Sequence, residues 1–389
     1  MRSGRLRAAR ALCAGAWLLA ATRPAGAASG PCATPVDDGD WPVAAADDAG
    51  FDAAALCSVL ETAAGEKADL HGLVVERHGK LVGELYRSGP DRPIDVHYGL
   101  GTPFARDAAF DADALHDVRS ISKSVVGLLV GLAVRDGKLG PLSKPVLDAF
   151  PELADLRTQG RDAITVEHLL TMSSGLDWNE WDASPLTSDE TRLFWKRDPV
   201  RWFFDRPLAH PPGTVFNYAG GGTATLAELL VRATGRPLVE LARTQIFEPL
   251  GITRWVWATD LRGRPLAFAG LRLRPRDMAK LGRLVLDQGR WRGREVVPAA
   301  WIADSTRTHI ATGVPFLAGY GYQWWTGTIE RRGREIAWSA GVGNGGQRIF
   351  VVPELDLVVV TTAGEYGSPA IGPVVGHLLG GVVAAVAEE

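Results

Sequence analysis

The chain has 389 residues, 46% of them hydrophobic and 22% charged, with a formal charge of −3. That length exceeds a usual single domain and calls for two domains or one composite domain of two lobes. The mildly acidic balance argues against nucleic acid or an anionic membrane surface as partner.

Residues 1–27 read as an export signal. Arg2, Arg5, Arg7 and Arg10 form a basic start, Ala11 to Ala21 a short apolar core, and Ala25-Gly26-Ala27 a small-residue cleavage site. The core is too short to span a bilayer as a helix. Removing the segment, with its five arginines, takes the formal charge from −3 to −8. The expectation is an exported, periplasmic or secreted protein with no membrane span. Two cysteines then remain, Cys32 and Cys57. In an oxidising compartment they are expected to pair, tying an irregular arm over residues 31–50 to a helix over Asp52–Ala64.

A hairpin follows, His71–Arg77 and Lys80–Tyr86, with His78-Gly79 at its turn. Residues 87–115 read as loop. Then Ser120-Ile121-Ser122-Lys123 opens an apolar helix that stops at Asp136-Gly137. Further helices are expected at Thr165–Met172, Thr223–Thr234, Leu238–Ile246 and Arg276–Gln288. The last third returns to strands: Gly321–Trp325, Arg334–Trp338, Gln347–Val352 and Leu355–Thr361. The glycine-broken run Ile371–Val386 reads as a helix packed on the sheet. Strands near both ends and helices between them give an α+β fold, with an antiparallel sheet built from both termini and a mostly helical insertion.

Ser120 and Lys123 carry the first chemical signal. Positions i and i+3 are neighbours on a helix surface, so a hydroxyl and an amine share one face. The chain has 7 lysines against 35 arginines, and only Lys123 has a serine three positions before it. Burial disfavours a charged lysine, and a neutral amine beside a serine hydroxyl is a nucleophile with its base. The bland alternative is a serine cap and a lysine reaching the surface. Tyr218, just before Gly220-Gly221-Gly222, is the candidate proton shuttle; a core tyrosine at a helix entry is its alternative. The glycine-rich stretch Ala340–Gln347 allows close backbone approach, and an N–H near Gly343 and Asn344 is the candidate second donor of an oxyanion hole. A flexible hairpin turn is the other reading. The aromatic set Trp178, Trp181, Phe194, Trp195, Trp202, Phe203 and Phe204 is either helical packing or a substrate wall. His116 and Asp117 precede Ser120 and suggest a triad, but Lys123 already offers a base. No histidine spacing indicates a metal site, and no cofactor is expected.

Taken together, these segments resemble the class C β-lactamase-related serine hydrolases, and most of all the 6-aminohexanoate-dimer hydrolase/esterase branch. The resemblance is carried by His116–Ser124, Thr165–Trp178, Pro212–Tyr218, Phe247–Ile252, Gly270–Gly282 and Gly345–Val360. It implies a β-lactamase/transpeptidase-like fold. A sheet lobe would be formed by 28–119 with 262–389 and a helical lobe by 120–261, with the active site between them. It implies Ser120 as acylated nucleophile, Lys123 as base, Tyr218 as proton shuttle, and an oxyanion N–H from the strand leading into Gly343-Asn344. Two departures stand out. Gly220 occupies a position where relatives carry Asn. Ala340-Gly341-Val342 stands where β-lactamases carry Lys-Thr-Gly, whose lysine helps to hold the β-lactam carboxylate. The expected substrates are therefore small esters or amides. A β-lactamase, a D-Ala-D-Ala carboxypeptidase and a non-catalytic cell-wall sensor are the alternatives.

Overall fold

The computed structural model describes residues 30–94, 106–180 and 187–388. The export signal and Trp181 lie outside them. Asp52 caps α1 (Ala53–Gly65) by accepting the Ala55 N–H. Cys57, on this helix, is disulfide-bonded to Cys32 at a Cα–Cα distance of 4.8 Å. The expected hairpin forms as β1 (Leu70–Arg77) and β2 (Lys80–Tyr86). His78 and Gly79 both take positive φ, as a tight hairpin turn requires.

The expected loop over 87–115 contains two short paired strands, β3 (Gly89–Asp91) and β4 (Arg106–Ala108). Then come β5 (His116–Asp117), α2 (Ile121–Arg135), α3 (Val166–Leu170), α4 (Asp189–Leu193), α5 (Pro199–Phe204), α6 (Gly220–Thr234) and α7 (Leu238–Ala242). The three glycines before Thr223 belong to α6 itself, and α7 runs into a single π turn at Arg243–Phe247. Strands β6 (Trp255–Trp257) and β7 (Leu271–Leu273) pair beside β5. α8 (Pro275–Leu286), β8 (Arg290–Trp291), β9 (Arg294–Glu295) and α9 (Ala299–Thr306) lead to β10 (Ile310–Ala311), β11 (Gly319–Tyr320), β12 (Trp325–Arg331), β13 (Arg334–Gly343), β14 (Gln347–Val352), β15 (Leu357–Ala363) and α10 (Ile371–Ala385).

Of the expected strand Gly321–Trp325 only Trp325 is a strand residue, opening β12; residues 321–324 form the break between β11 and β12. Gln323 holds it open with a left-handed φ of 64°. The Gln323 side chain donates to Leu169 O and Leu170 O, and accepts from Thr223 Oγ1 at 2.8 Å. Those bonds outweigh continued pairing.

The main sheet has eight strands in the order β10-β11-β12-β13-β14-β15-β1-β2, and each adjacent pair is antiparallel. Both chain ends therefore build it, as the strand pattern predicts. Its two faces bury separate apolar clusters. Val74, Ile349, Val358 and Val360 pack with α2 and α8 residues, while Leu73, Val75, Phe350 and Val359 pack with α1 and α10 residues. β15 is buried at every position because helices cover both faces there. Pro31–Glu389 forms one compact unit. Among the described residues no helix is long and apolar enough to cross a membrane.

Candidate active site

The start of α2 is pinned by short strands. β5 pairs with β7, and the Val118 N–H donates to Leu271 O at 3.0 Å. The Ser122 hydroxyl accepts the Leu271 N–H at 3.1 Å and donates to Arg119 O at 2.7 Å. Arg119 turns the chain from strand to helix with a φ of 50°, a left-handed conformation that a non-glycine residue adopts only when its surroundings enforce it. Ser120 follows immediately. Its side chain makes no capping bond, so its hydroxyl is left for chemistry.

Lys123, one turn on, is buried, and its ammonium meets three acceptors. It donates to Ser120 Oγ at 3.0 Å, to Glu190 Oε1 at 3.1 Å and to Phe268 O at 2.9 Å. A lysine ammonium has three donors, so this shell satisfies it fully. Glu180 Oε1 lies 3.6 Å from the same nitrogen. The expected neutral resting amine is therefore corrected. Burial alone pulls Lys123 down, but its neighbours, the Glu190 carboxylate foremost, more than offset it and shift the ammonium above its ordinary value. Glu180 moves the other way. Burial raises its carboxyl to about 8, the neighbouring Glu190 adds to the rise, and Lys123 only partly opposes it.

Tyr218 completes the group. Its phenol shares a hydrogen bond with Ser120, and Lys123 Nζ stands 4.8 Å from its ring centroid. Burial raises its pKa, with Lys123 acting against the rise. The ring is fixed by Trp325 at 5.4 Å and Tyr320 at 6.1 Å between centroids. The backbone on either side is held too: the Asn217 N–H donates to Met172 O, and the Asn217 amide donates to Leu176 O and Trp178 O.

The glycine-rich strand end lies across the first turns of α2. A Cβ on Gly341 would sit 3.5 Å from Ser124 Oγ and 3.6 Å from Ile121, and one on Gly343 would overlap the Val118 carbonyl oxygen. Asn344 is turned away: its side chain accepts the Gly367 N–H at 2.8 Å. The stretch against the nucleophile helix is thus Gly341–Gly343, with Asn344 bracing the turn behind it.

Glu180 and Glu190 were not found from the sequence. Each lies far from the S-x-x-K in the chain, in a region without a readable pattern. Gly220 was the available signal. A Cβ there would stand 2.9 Å from Glu190 Oε1 and 3.3 Å from Glu180 Oε2. Absence of a side chain at 220 makes the room through which the two carboxyls reach Lys123. Glu180 is anchored in it by the Gly220 N–H at 2.7 Å and by Trp178 Nε1 at 2.9 Å.

The His116–Asp117 pair does not serve Ser120. His116 stacks on Phe110 at 4.3 Å, and Asp117 accepts the Ile94 N–H and sits beside Arg119 and Arg272. The aromatic set is mostly packing. Trp178 and Phe204 meet the edges of Phe203, Phe194 meets Phe268, and Trp202 lies between Lys196 and Arg206.

The profile of the Beta-lactamase family matches residues 61–374. The chain belongs to the beta-lactamase family. Within it, the chain is 31% identical over 271 residues to the 6-aminohexanoate-dimer hydrolase of Paenarthrobacter ureafaciens, covering 65% of this chain and 67% of that one. It is 29% identical over 180 residues to a beta-lactamase of Escherichia coli, covering 46% and 43%. It is 33% identical over 179 residues to a lovastatin esterase of Penicillium rubens, covering 41% and 42%. The last two matches span under half the length of those relatives. Among solved structures, a family VIII carboxylesterase superposes with a TM-score of 0.62 at 17% identity, covering 86% of this chain and 98% of that one. The penicillin-binding protein homologue of Pyrococcus abyssi superposes with a TM-score of 0.61 at 20% identity, covering 85% and 77%. Those two likenesses establish the beta-lactamase/transpeptidase-like fold. Family membership makes the chain a serine hydrolase.

Proposed function

We propose that this chain is an exported hydrolase of small esters or amides, acting through an acyl-enzyme on Ser120. The observation that carries the reading is the convergence of Lys123 Nζ, at 3.0 Å, and the Tyr218 phenol on one hydroxyl that caps no helix. In acylation, Ser120 Oγ attacks the carbonyl carbon and its proton passes to the Lys123 amine. The tetrahedral oxyanion is held by the Ser120 N–H and an N–H of the Gly341–Gly343 strand. Collapse breaks the bond to the leaving alkoxide or amine, which takes a proton delivered through Tyr218. Water then attacks the ester carbon, giving its proton to the same pair and releasing the acid. The Cys32–Cys57 disulfide supports the exported setting. The 6-aminohexanoate-dimer hydrolase and lovastatin esterase relatives support an amide or ester substrate.

A panel of p-nitrophenyl butyrate, short oligomeric amides, D-amino-acid peptides and nitrocefin tests this, with Ser120→Ala as control. Ester or amide turnover that disappears in Ser120→Ala is expected. Fast nitrocefin hydrolysis with no ester or amide turnover would replace the reading by a β-lactamase. An acylated Ser120 that never turns over would replace it by a sensor.

A further inference from the structure

We propose that Glu190 is a positioning residue of the nucleophile system. It receives the proton that Lys123 must shed before acylation, through the opening left at Gly220, where Glu180 also lies beside the same ammonium. The inference rests on the reading of Ser120 as nucleophile and Lys123 as base.

The structure poses a specific problem. Lys123 Nζ lies within bonding distance of three oxygens, the Glu190 carboxylate at 3.1 Å among them, an environment that favours the ammonium, and an ammonium cannot accept the Ser120 proton. The proton needs a destination inside the site, because Lys123 has a side-chain exposure of 1%. Glu190 Oε1 at 3.1 Å is that destination, since Phe268 O and Ser120 Oγ are not basic at neutral pH. Glu180 is not that acceptor: burial raises its carboxyl to about 8, so it already holds a proton at neutral pH, its Oε1 is further away at 3.6 Å, and its Oε2 takes the Trp178 and Gly220 N–H groups.

Substrate binding provides the trigger. Of the three ionisable groups, Glu190 is the wettest, at 23% exposure against 7% for Glu180 and 1% for Lys123. A substrate lying over Ser120 takes that water away. Separated charges then cost more than a neutral amine beside a neutral acid. The proton moves from Nζ to Glu190, leaving a lone pair on Nζ. The amine turns about its Cε–Nζ bond, keeps Phe268 O as acceptor and presents the lone pair to Ser120 Oγ. The Ser120 proton moves onto Nζ as Oγ bonds the carbonyl carbon. After deacylation, Glu190 returns the proton it held. No net charge is created at any stage, and no external acid or base is consumed.

Two variants test this from opposite directions. Glu190→Gln removes the acceptor and keeps the shape. Gly220→Ala keeps the acceptor but places a Cβ 2.9 Å from its oxygen. A flexible carboxyl end can give way there, and alanine suits a helix, so this variant folds. Ester turnover is followed from pH 5 to 10. For Glu190→Gln, kcat at pH 7 falls about 100-fold, the scale of a general-base contribution, with KM changed less than threefold. Its rate then climbs with pH up to 10, because Lys123 now loses its proton to water. Gly220→Ala shows a smaller loss with the same alkaline climb. Wild-type kcat keeps a plateau through neutral pH. The proposal is overturned if Glu190→Gln keeps that plateau and its kcat, if it is faster than wild type at pH 7, or if its loss is equal at every pH. Fluorophosphonate labelling of Ser120 separates the two levels. A wild-type enzyme without a Ser120 adduct sinks the hydrolase reading, whereas a labelled Ser120 with an unmoved pH profile sinks only the role of Glu190.

Discussion

Lys123→Met removes one charge from the centre of the site and leaves side-chain length almost unchanged. In the native protein the ammonium faces Glu190 at 3.1 Å and Glu180 at 3.6 Å. With an effective dielectric constant of about 20, the closer pair alone is worth about 5 kcal/mol of attraction. The variant also no longer desolvates an ammonium, and Glu190 keeps some contact with water. The net cost is therefore expected at the low end of the range for breaking a buried pair, about 3 kcal/mol. The cost depends on pH with a definite sign. Glu180 already titrates near 8 in the folded chain against an ordinary value of 4.5, and loss of the cation lifts it further. A carboxyl whose folded value lies above its unfolded value lowers stability as pH rises between the two. The wild type carries the same Glu180 penalty up to about pH 8, so the deficit of Lys123→Met relative to wild type should widen above pH 8, read by urea denaturation at pH 7 and pH 9. Adding Glu190→Gln should restore about 2 kcal/mol at pH 8 without restoring activity. Turnover in the single variant should drop about 1000-fold. A deficit relative to wild type that is the same at both pH values, or activity within tenfold of wild type, would refute the electrostatic account of this site.

Ser120→Ala should abolish turnover and fluorophosphonate labelling while leaving the melting temperature within a few degrees; residual covalent labelling elsewhere would point to another nucleophile. Tyr218→Phe keeps the packing on Trp325 and Tyr320 and loses the phenol, so kcat should fall about 100-fold with thermal stability held; an unchanged kcat speaks against proton delivery through Tyr218. Replacing both Cys32 and Cys57 by Ser opens a link spanning a sequence separation of 25. Loop-closure entropy puts the loss at about 3.5 kcal/mol, read from urea curves with and without reductant; a reductant effect persisting in the double variant would contradict it. Gly343→Ala drives a methyl into the Val118 carbonyl and should cost about 1–3 kcal/mol together with activity, since backbone on both sides must move. A stable, fully active Gly343→Ala would show that this strand does not lie tightly against the nucleophile.

Sequence alone determined what short-range geometry controls. Ser120 and Lys123 share a helix face whatever surrounds them, because one turn separates them. The β1–β2 hairpin is legible from its His78-Gly79 turn, and the expected Cys32–Cys57 pair is the disulfide of the structure. Strand segments near both ends and helices between them were enough for the α+β antiparallel architecture. The sequence did not show that Gln323 would break a strand, because its bonds run to carbonyls of α3. Nor did it show that His116 and Asp117 turn away from Ser120. Above all it misjudged the charge on Lys123. From its apolar helix the lysine looks desolvated and neutral. Only the fold brings Glu180 and Glu190 through the opening at Gly220 to within 3.6 Å of it. Desolvation follows from the helix a residue sits in, whereas Coulomb energy follows from distances across the chain, and those exist only once the tertiary structure has formed.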